Sequence, residues 1–321
     1  MHLQPRARSA LDTSMAVMRT VLLAASQNRW LSARVPHYRF TRRTVKRFLP
    51  GERAEDALGA AQALRAHSIS AVFTHLGENI SEAPEAIRAT DEYIALLDQI
   101  HTRGLDSEIS VKLTQLGLDL SSAQCYGNLK RIIQHADPKG IVWIDMESSQ
   151  YVDITLELYR RARTAFPNVG VCLQAYLYRT AQDIAALMPL APAIRLVKGA
   201  YREPPTVAYP DKKDADAHFF TLACKLLGGP ARHAGVRTAI ATHDRELIRR
   251  ITEFTASAGV AKEEYEFQML YGIQRPELVR LKREGYRARI LIAYGAYWFP
   301  WFMRRLAERP ANVWFAVRNL I

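Results

Sequence analysis

The chain has 321 residues, 49% of them hydrophobic and 24% charged, close to the average of a globular protein. That composition excludes a disordered chain, a collagen-like repeat and a disulfide scaffold, and Cys125, Cys172 and Cys224 have neither zinc-ligand nor paired spacing. Most of the net charge of +12 lies at the start, where residues 1–50 hold ten Lys and Arg against Asp12 alone.

Residues 11–50 read as helical. Arg42, Arg43, Lys46 and Arg47 form a basic stripe, with Val45, Phe48 and Leu49 on the other side. The stripe fits a solvated face of a helix packed on the body, or contact with an anionic lipid surface. The Arg-rich, acid-poor start also has the character of an organellar transit peptide, while Arg19 interrupts any secretory signal. The longest uncharged apolar run, Ile290–Met303, is broken by Gly295 and Pro300. It falls short of the roughly 18 residues a membrane span needs.

From about residue 69 onward, short β-branched runs alternate with amphipathic ones. Strands are expected to begin near Ile69, Ile109, Ile141, Val169, Ile194, Arg237, Tyr265 and Arg289. The intervening segments carry apolar residues at helical spacing, such as Ile94, Leu97 and Ile100, or Leu158, Ala162 and Ala165. Eight strand–helix units in this length fit a (βα)8 barrel, and the same alternation fits a doubly wound sheet. No G-x-G-x-x-G follows the first strand, which weakens a dinucleotide-binding sheet.

The strand ends favour the barrel. They read Glu78, Lys112, Asp145, Gln174, Arg195 with Lys198, Thr242 with His243 and Asp244, Gln268, and Tyr294, while strand interiors read Val, Ile, Leu, Cys and Ala. A barrel gathers all eight ends around one mouth, where active sites are built. With Arg304, Arg305 and Glu308 the mouth holds five cations and suits a carboxylate or phosphate ligand. His243 has no partner at metal-ligand spacing, and no G-x-S-x-G nucleophile elbow occurs. An organic cofactor is left to supply the hard chemistry. Gly199 and Ala200, after the basic strand that holds Arg195 and Lys198, let a planar ligand or a pyrophosphate approach the backbone.

An ordered set of motifs then becomes specific. KRFLPGERAEDAL (Lys46–Leu58), LGE (Leu76–Glu78), SVKLTQLG (Ser110–Gly117), WIDME (Trp143–Glu147) and LQAYLYRT (Leu173–Thr180) come first. RLVKGAYREP (Arg195–Pro204), ATHD (Ala241–Asp244), EFQMLYGI (Glu266–Ile273) and FMRRLAERPAN (Phe302–Asn312) follow. Together, over roughly residues 40–320, they resemble the proline dehydrogenase family, down to the basic helices that precede the barrel in single-function bacterial members.

The resemblance implies an α/β fold, a distorted (βα)8 TIM-type barrel over 61–321 behind an N-terminal helical extension over 1–60. It implies FAD-dependent oxidation of L-proline to 1-pyrroline-5-carboxylate, with electrons passed to a quinone. FAD would be held by Met146, Gln174, Arg195, Lys198, Gly199, Ala200, Tyr201, Thr242, His243 and Gln268, with Glu308 nearby. Lys112, Arg304 and Arg305 would grip the substrate carboxylate, Asp145 would orient Lys112, and Glu78 would pair with Arg304 as a gate. A cytoplasmic protein is expected, peripheral on the inner membrane if the basic stripe binds lipid, with no nucleic-acid partner. Another FAD barrel, of the methylenetetrahydrofolate reductase type, lacks this ordered motif set. A catalytically inactive cationic barrel is argued against by Lys112, Asp145, Arg195, Arg304 and Arg305.

Strand eight and the helix that follows it depart from the family pattern at three positions. Strand eight reads R-I-L-I-A-Y-G where R-V-Y-V-P-Y-G is usual, so Leu291 replaces a tyrosine and Ala293 a proline. Trp301 stands where a second pocket tyrosine is usual. The changes at Leu291 and Trp301 fall on the substrate ring, which leaves a substituted or ring-altered relative of proline as an alternative substrate.

Overall fold

Eight strands form where the β-branched runs stand: β1 (Ser70–His75), β2 (Ser107–Val111), β3 (Val142–Ile144), β4 (Val169–Gln174), β5 (Ala193–Val197), β6 (Arg237–Ala241), β7 (Tyr265–Leu270) and β8 (Arg287–Tyr294). Each starts within two residues of its expected position. In the computed structural model each strand pairs in parallel with the next, and β8 returns to β1 from Ser70 opposite Arg289 to His75 opposite Tyr294. The ring is closed. The doubly wound alternative is thereby excluded, and the fold is a (βα)8 TIM-type barrel. The structure describes residues 45–77, 80–138 and 140–308 with positions 22, 25, 28 and 34, and no side chain at 305, 307 and 308. Arg42, Arg43 and Glu78, and the side chains of Arg305 and Glu308, therefore lie outside it.

Helices α1 (Ala54–Arg65), α2 (Ala83–Thr102), α3 (Ser122–His135), α4 (Val152–Ala165) and α5 (Thr180–Leu187) cover the first half of the ring. The second half carries α6 (Lys212–Leu227), α7 (Gly229–His233), α8 (Arg245–Ser257), α9 (Arg275–Arg283) and α10 (Trp298–Glu308). On α2 the buried seam is Ala86, Ala89, Tyr93, Leu96 and Ile100, while the expected Ile94 and Leu97 flank it half-buried. The seam follows Tyr93, whose hydroxyl donates to the Ser110 carbonyl at 3.0 Å and accepts from the His75 amide at 3.1 Å. Those bonds fix the helix rotation better than aliphatic area does.

Val45, Phe48 and Leu49 pack against Trp298, Phe299, Trp301 and Phe302 of α10, so the aromatic run serves packing. Lys46 and Arg47 face outward. The contact is close because Gly272, at φ +77°, has no side chain: a Cβ there would sit 1.8 Å from the Arg47 carbonyl oxygen. This turn anchors residues 45–49 to the rim of the barrel.

The barrel interior differs from expectation. The aliphatic strand residues mostly face the helices, and the inner floor is charged. Glu108, Glu266 and Arg289 are all buried there. Arg289 donates from Nε to Glu266 Oε2 at 3.0 Å, Arg237 pairs with Glu108, and Trp143 Nε1 donates to Glu108 Oε2 at 2.7 Å. Above this layer Val72, Trp143, Ala193 and Ala239 make a small apolar plug. Gly170 leaves room for it, since a Cβ there would lie 2.7 Å from the Trp143 ring. The inward positions of a strand are too few to show this as a sequence pattern.

Burial alone would raise the Glu266 carboxyl, but Arg289 and Arg237 outweigh it and hold it below the usual carboxylate range. A depressed carboxyl stabilises the fold above its unfolded pKa, and that contribution fades as pH falls through and below about 4. Replacing Arg289 with Met leaves two buried carboxylates to Arg237. Denaturant unfolding at neutral pH is expected to show a loss of about 3–5 kcal/mol, with the gap to the parent narrowing below about pH 4.

Candidate active site

The carboxyl ends of the strands open onto a cavity of about 640 Å³. Among its charged lining groups is Asp145, directly after β3. Asp145 Oδ2 accepts from Lys112 Nζ, directly after β2, at 3.2 Å. Its Oδ1 accepts from Ser110 Oγ at 2.7 Å and from Arg195 Nη2. Arg195, in the middle of β5 and only 2% exposed, also donates to Ser110 Oγ at 2.6 Å and to Gln268 Oε1 at 3.5 Å. Its guanidinium lies 5.2 Å from the Trp143 ring centre. Burial works to raise the Asp145 carboxyl, yet Lys112 and Arg195 hold it below the ordinary carboxylate range. It therefore stays ionised, and it keeps both cations in place.

Behind Lys112, His75 Nδ1 lies 2.9 Å from Gln115 Nε2. Burial and then Lys112 lower the His75 pKa to about 4, so the ring is neutral and Nδ1 accepts from the amide. The 3.4 Å approach of Glu92 to the same nitrogen is accordingly no ion pair at neutral pH.

A second tier of charge lies nearer the rim. Lys198, just past β5, pairs with Asp216 at 2.5 Å and with Asp244 at 2.8 Å, and Lys212 also bridges both carboxylates. Asp244 does two jobs: Oδ1 caps α8 by accepting from the Glu246 and Leu247 amides, and Oδ2 takes the lysines. Burial would raise its carboxyl, but Lys198 and Lys212 hold it far below the usual range. Thr242 Oγ1 accepts from the Asp244 amide at 3.2 Å. His243 Nε2 accepts from the Leu270 amide at 2.9 Å, which places the ring proton of the neutral form on Nδ1.

Between the tiers the wall turns polar and planar. Gln174 Nε2 donates to the Met146 carbonyl at 3.4 Å, while its buried Oε1 has no hydrogen-bond partner among the described residues. Gly199 has φ +120°, and a Cβ there would stand 2.1 Å from the Tyr176 ring, so only glycine fits. Arg304 of α10 lies over the Tyr201 ring at 5.4 Å. Ala200, Leu291 and Trp301 complete the wall, and Leu22 of the N-terminal segment reaches it.

Every expected site residue with a described side chain lines this one cavity. Sequence reading passed over Ser110, Cys172, Tyr176, Lys212 and Asp216. Ser110 and Cys172 share a strand face with Lys112 and Gln174 by the two-residue period, a signal that was present. Lys212 and Asp216 sit on a helix, where reading strand ends does not find them. They add one charge of each sign and leave the net charge as it was: among the described residues five lining cations meet four carboxylates, a slight cationic excess.

Chemically, the arrangement offers a deep cationic pair for a small carboxylate and a longer polar groove for a larger anion. No nucleophile stands beside a free base among the described residues of the cavity, so the chain itself offers positioning and charge.

The sequence model of the family described as proline dehydrogenase matches residues 57–318. The chain is 39% identical over 307 residues to proline dehydrogenase 1 of Bacillus subtilis subsp. natto, covering 95% of this chain and 99% of that one. It is 40% identical over 283 residues to proline dehydrogenase of Deinococcus radiodurans, covering 86% and 90%. Among solved structures, proline utilization A (PutA) from Bdellovibrio bacteriovorus, inactivated by N-propargylglycine, superposes with a TM-score of 0.76 at 25% identity. That match covers 83% of this chain and 33% of the PutA chain, so the barrel corresponds to about a third of the larger protein. A match along nearly the whole length of two relatives, on a barrel whose strand ends meet in one charged mouth, makes the chain a member of the proline dehydrogenase family.

Proposed function

We propose that this chain oxidises L-proline to 1-pyrroline-5-carboxylate with FAD as its cofactor, passing electrons to a quinone-type acceptor. The observation that carries the reading is the convergence of Lys112, Asp145, Arg195 and Arg304 on one cavity in a chain of this family. The donor set suits FAD. The orphaned buried Oε1 of Gln174 asks for a donor, Lys198 and Lys212 suit phosphate, and the cavity has room for a dinucleotide. Met146, Gln174, Arg195, Lys198, Gly199, Ala200, Tyr201, Thr242, His243 and Gln268 would hold it, with Glu308 at the edge.

Bound FAD supplies the acceptor for the hydride that leaves the carbon beside the ring nitrogen. The remaining work belongs to the side chains. Lys112, Arg304 and Arg305 bind the carboxylate and set which carbon faces inward. Asp145 holds Lys112 at its post and, with three donors already on it, does not take the amine proton. The amine must therefore arrive neutral, so that its lone pair stabilises the iminium product. Arg195 supplies a fixed positive charge where negative charge accumulates. Glu78 would pair with Arg304 as a gate over the bound substrate. We place the protein in the cytoplasm, and the basic face that includes Lys46 and Arg47 is either a solvated face or a contact with an anionic bilayer.

A second reading concerns the ring. Leu291 and Trp301 both line the cavity; relative to the family pattern Leu291 opens space on one side and Trp301 adds bulk on the other. Changes of that size alter discrimination by about 1–3 kcal/mol. The test for both readings is anaerobic bleaching of the flavin absorbance and kcat/KM with L-proline, 4-hydroxyproline and pipecolate. Flavin-free protein, or bleaching by none of the three, sinks the main reading. A preference for proline above roughly a thousandfold removes the altered-ring reading.

Two further outcomes follow from the assigned contacts. A charge-assisted hydrogen bond contributes about 1.5–3 kcal/mol, so Arg304→Met and Lys112→Met are each expected to raise KM for proline roughly ten- to 150-fold. An unchanged KM in both variants removes the clamp. If the basic face binds lipid, co-sedimentation with anionic vesicles weakens with salt and with Gln at positions 42, 43, 46 and 47. Equal partitioning of parent and variant returns the stripe to a solvated face.

A further inference from the structure

Ser110 touches neither the cavity nor solvent, yet it joins the two deep charges of the site. It lies on β2, two residues before Lys112 and fully buried. Its hydroxyl donates to Asp145 Oδ1 at 2.7 Å and accepts from Arg195 Nη2 at 2.6 Å, while Arg195 Nη2 also meets that same Oδ1. The three groups close a triangle, and Oδ2 is left to Lys112 at 3.2 Å.

A carboxylate between two cations has two equivalent oxygens and is free to roll between them. One hydroxyl, with a single proton and two lone pairs, removes that freedom. Because Ser110 gives its proton to Oδ1 and receives one from Arg195, Oδ1 is committed to the guanidinium and Oδ2 to the amine. The roll of the guanidinium is fixed as well. Nη2 is held by two acceptors, Nη1 is turned toward Gln268 Oε1, and Gln268 is itself fixed by donating Nε2 to Glu266 Oε1 at 2.6 Å.

We infer that Ser110 is a positioning residue that sets the orientation of Arg195 toward the cofactor, acting through Asp145 and Arg195 without touching substrate. The inference rests on the FAD reading above. Removing the hydroxyl leaves every charge paired, so the loss is one of placement rather than of a buried ion. Lys112 keeps Asp145 Oδ2, so carboxylate binding is largely spared.

The test compares FAD-loaded wild type with Ser110→Ala and Ser110→Thr, the second keeping the hydroxyl. The flavin reduction potential is measured beside kcat, KM and thermal stability. S110A is expected to keep its flavin, hold KM for L-proline within about twofold and lose roughly tenfold in kcat. Its potential moves negative, by about 30 mV if the tenfold lies wholly in the two-electron equilibrium. S110T recovers both kcat and potential. A loaded S110A with wild-type potential and kcat overturns the inference, as does equal impairment of S110A and S110T, which would mark a packing effect. If S110A does not accumulate, S110C takes its place, since a thiol is a weak donor, and equal potentials in S110C and S110T overturn the inference. Wild-type protein that cannot be loaded with FAD refutes the flavin reading itself, a different result from a loaded S110A that behaves normally.

Discussion

The site depends on one half-buried carboxylate, that of Asp145. Arg195 is almost wholly removed from water, and an isolated charge in that position would cost several kcal/mol. Asp145 makes the burial tolerable and at the same time anchors Lys112. One anion holding two cations leaves more positive than negative charge among the described side chains lining the bottom of the cavity. On the function proposed above, a small carboxylate would meet that excess. A neutral residue at 145 would leave like charges facing each other across the space the ligand needs.

The barrel makes this arrangement possible by layering. Inward residues of parallel strands fall into tiers, and two of the tiers here are ionic. From Lys112 the contacts run through Asp145 and Arg195 to Gln268, Glu266 and Arg289, which reaches Asp106 near the outer edge of the floor. Such an interior gives up the apolar packing that fills many barrels. In return each polar side chain is held by partners on other strands, so Arg195 has little room to choose a different rotamer. The geometry at the mouth is thus supported from below.

Much of this was legible in the residues, and the illegible part has a common cause. Strand starts were readable because β-branched runs are local, and Lys112, Asp145 and Thr242 were readable because each directly follows a strand. The partners were not. Glu266 and Arg289 stand 23 positions apart, and Arg237 and Glu108 stand 129 apart. No local pattern marks a residue whose significance lies in another strand. On α2 Ile100 is buried as expected, but Ile94 and Leu97 only flank the seam, because the Tyr93 hydroxyl, bonded to the next strands, sets the rotation of the helix. Lys212 and Asp216 were missed because a helix, not a strand end, carries them.

Those two residues change how the mouth sorts its ligands. Lys198 and Lys212 are already matched by Asp216 and Asp244, so the rim is close to neutral before any ligand arrives. An anion gains from the rim only by competing with carboxylates already paired there, whereas among the described residues of the deep tier Lys112 and Arg195 share the one carboxylate of Asp145. Field lines in a low-dielectric cleft concentrate toward that excess. On the function proposed above, a small amino-acid carboxylate would be drawn past the rim to Lys112, and only a ligand long enough to span both tiers would collect from each. The acidic pair at the rim, which reduces the total positive charge, is what gives the cavity its direction.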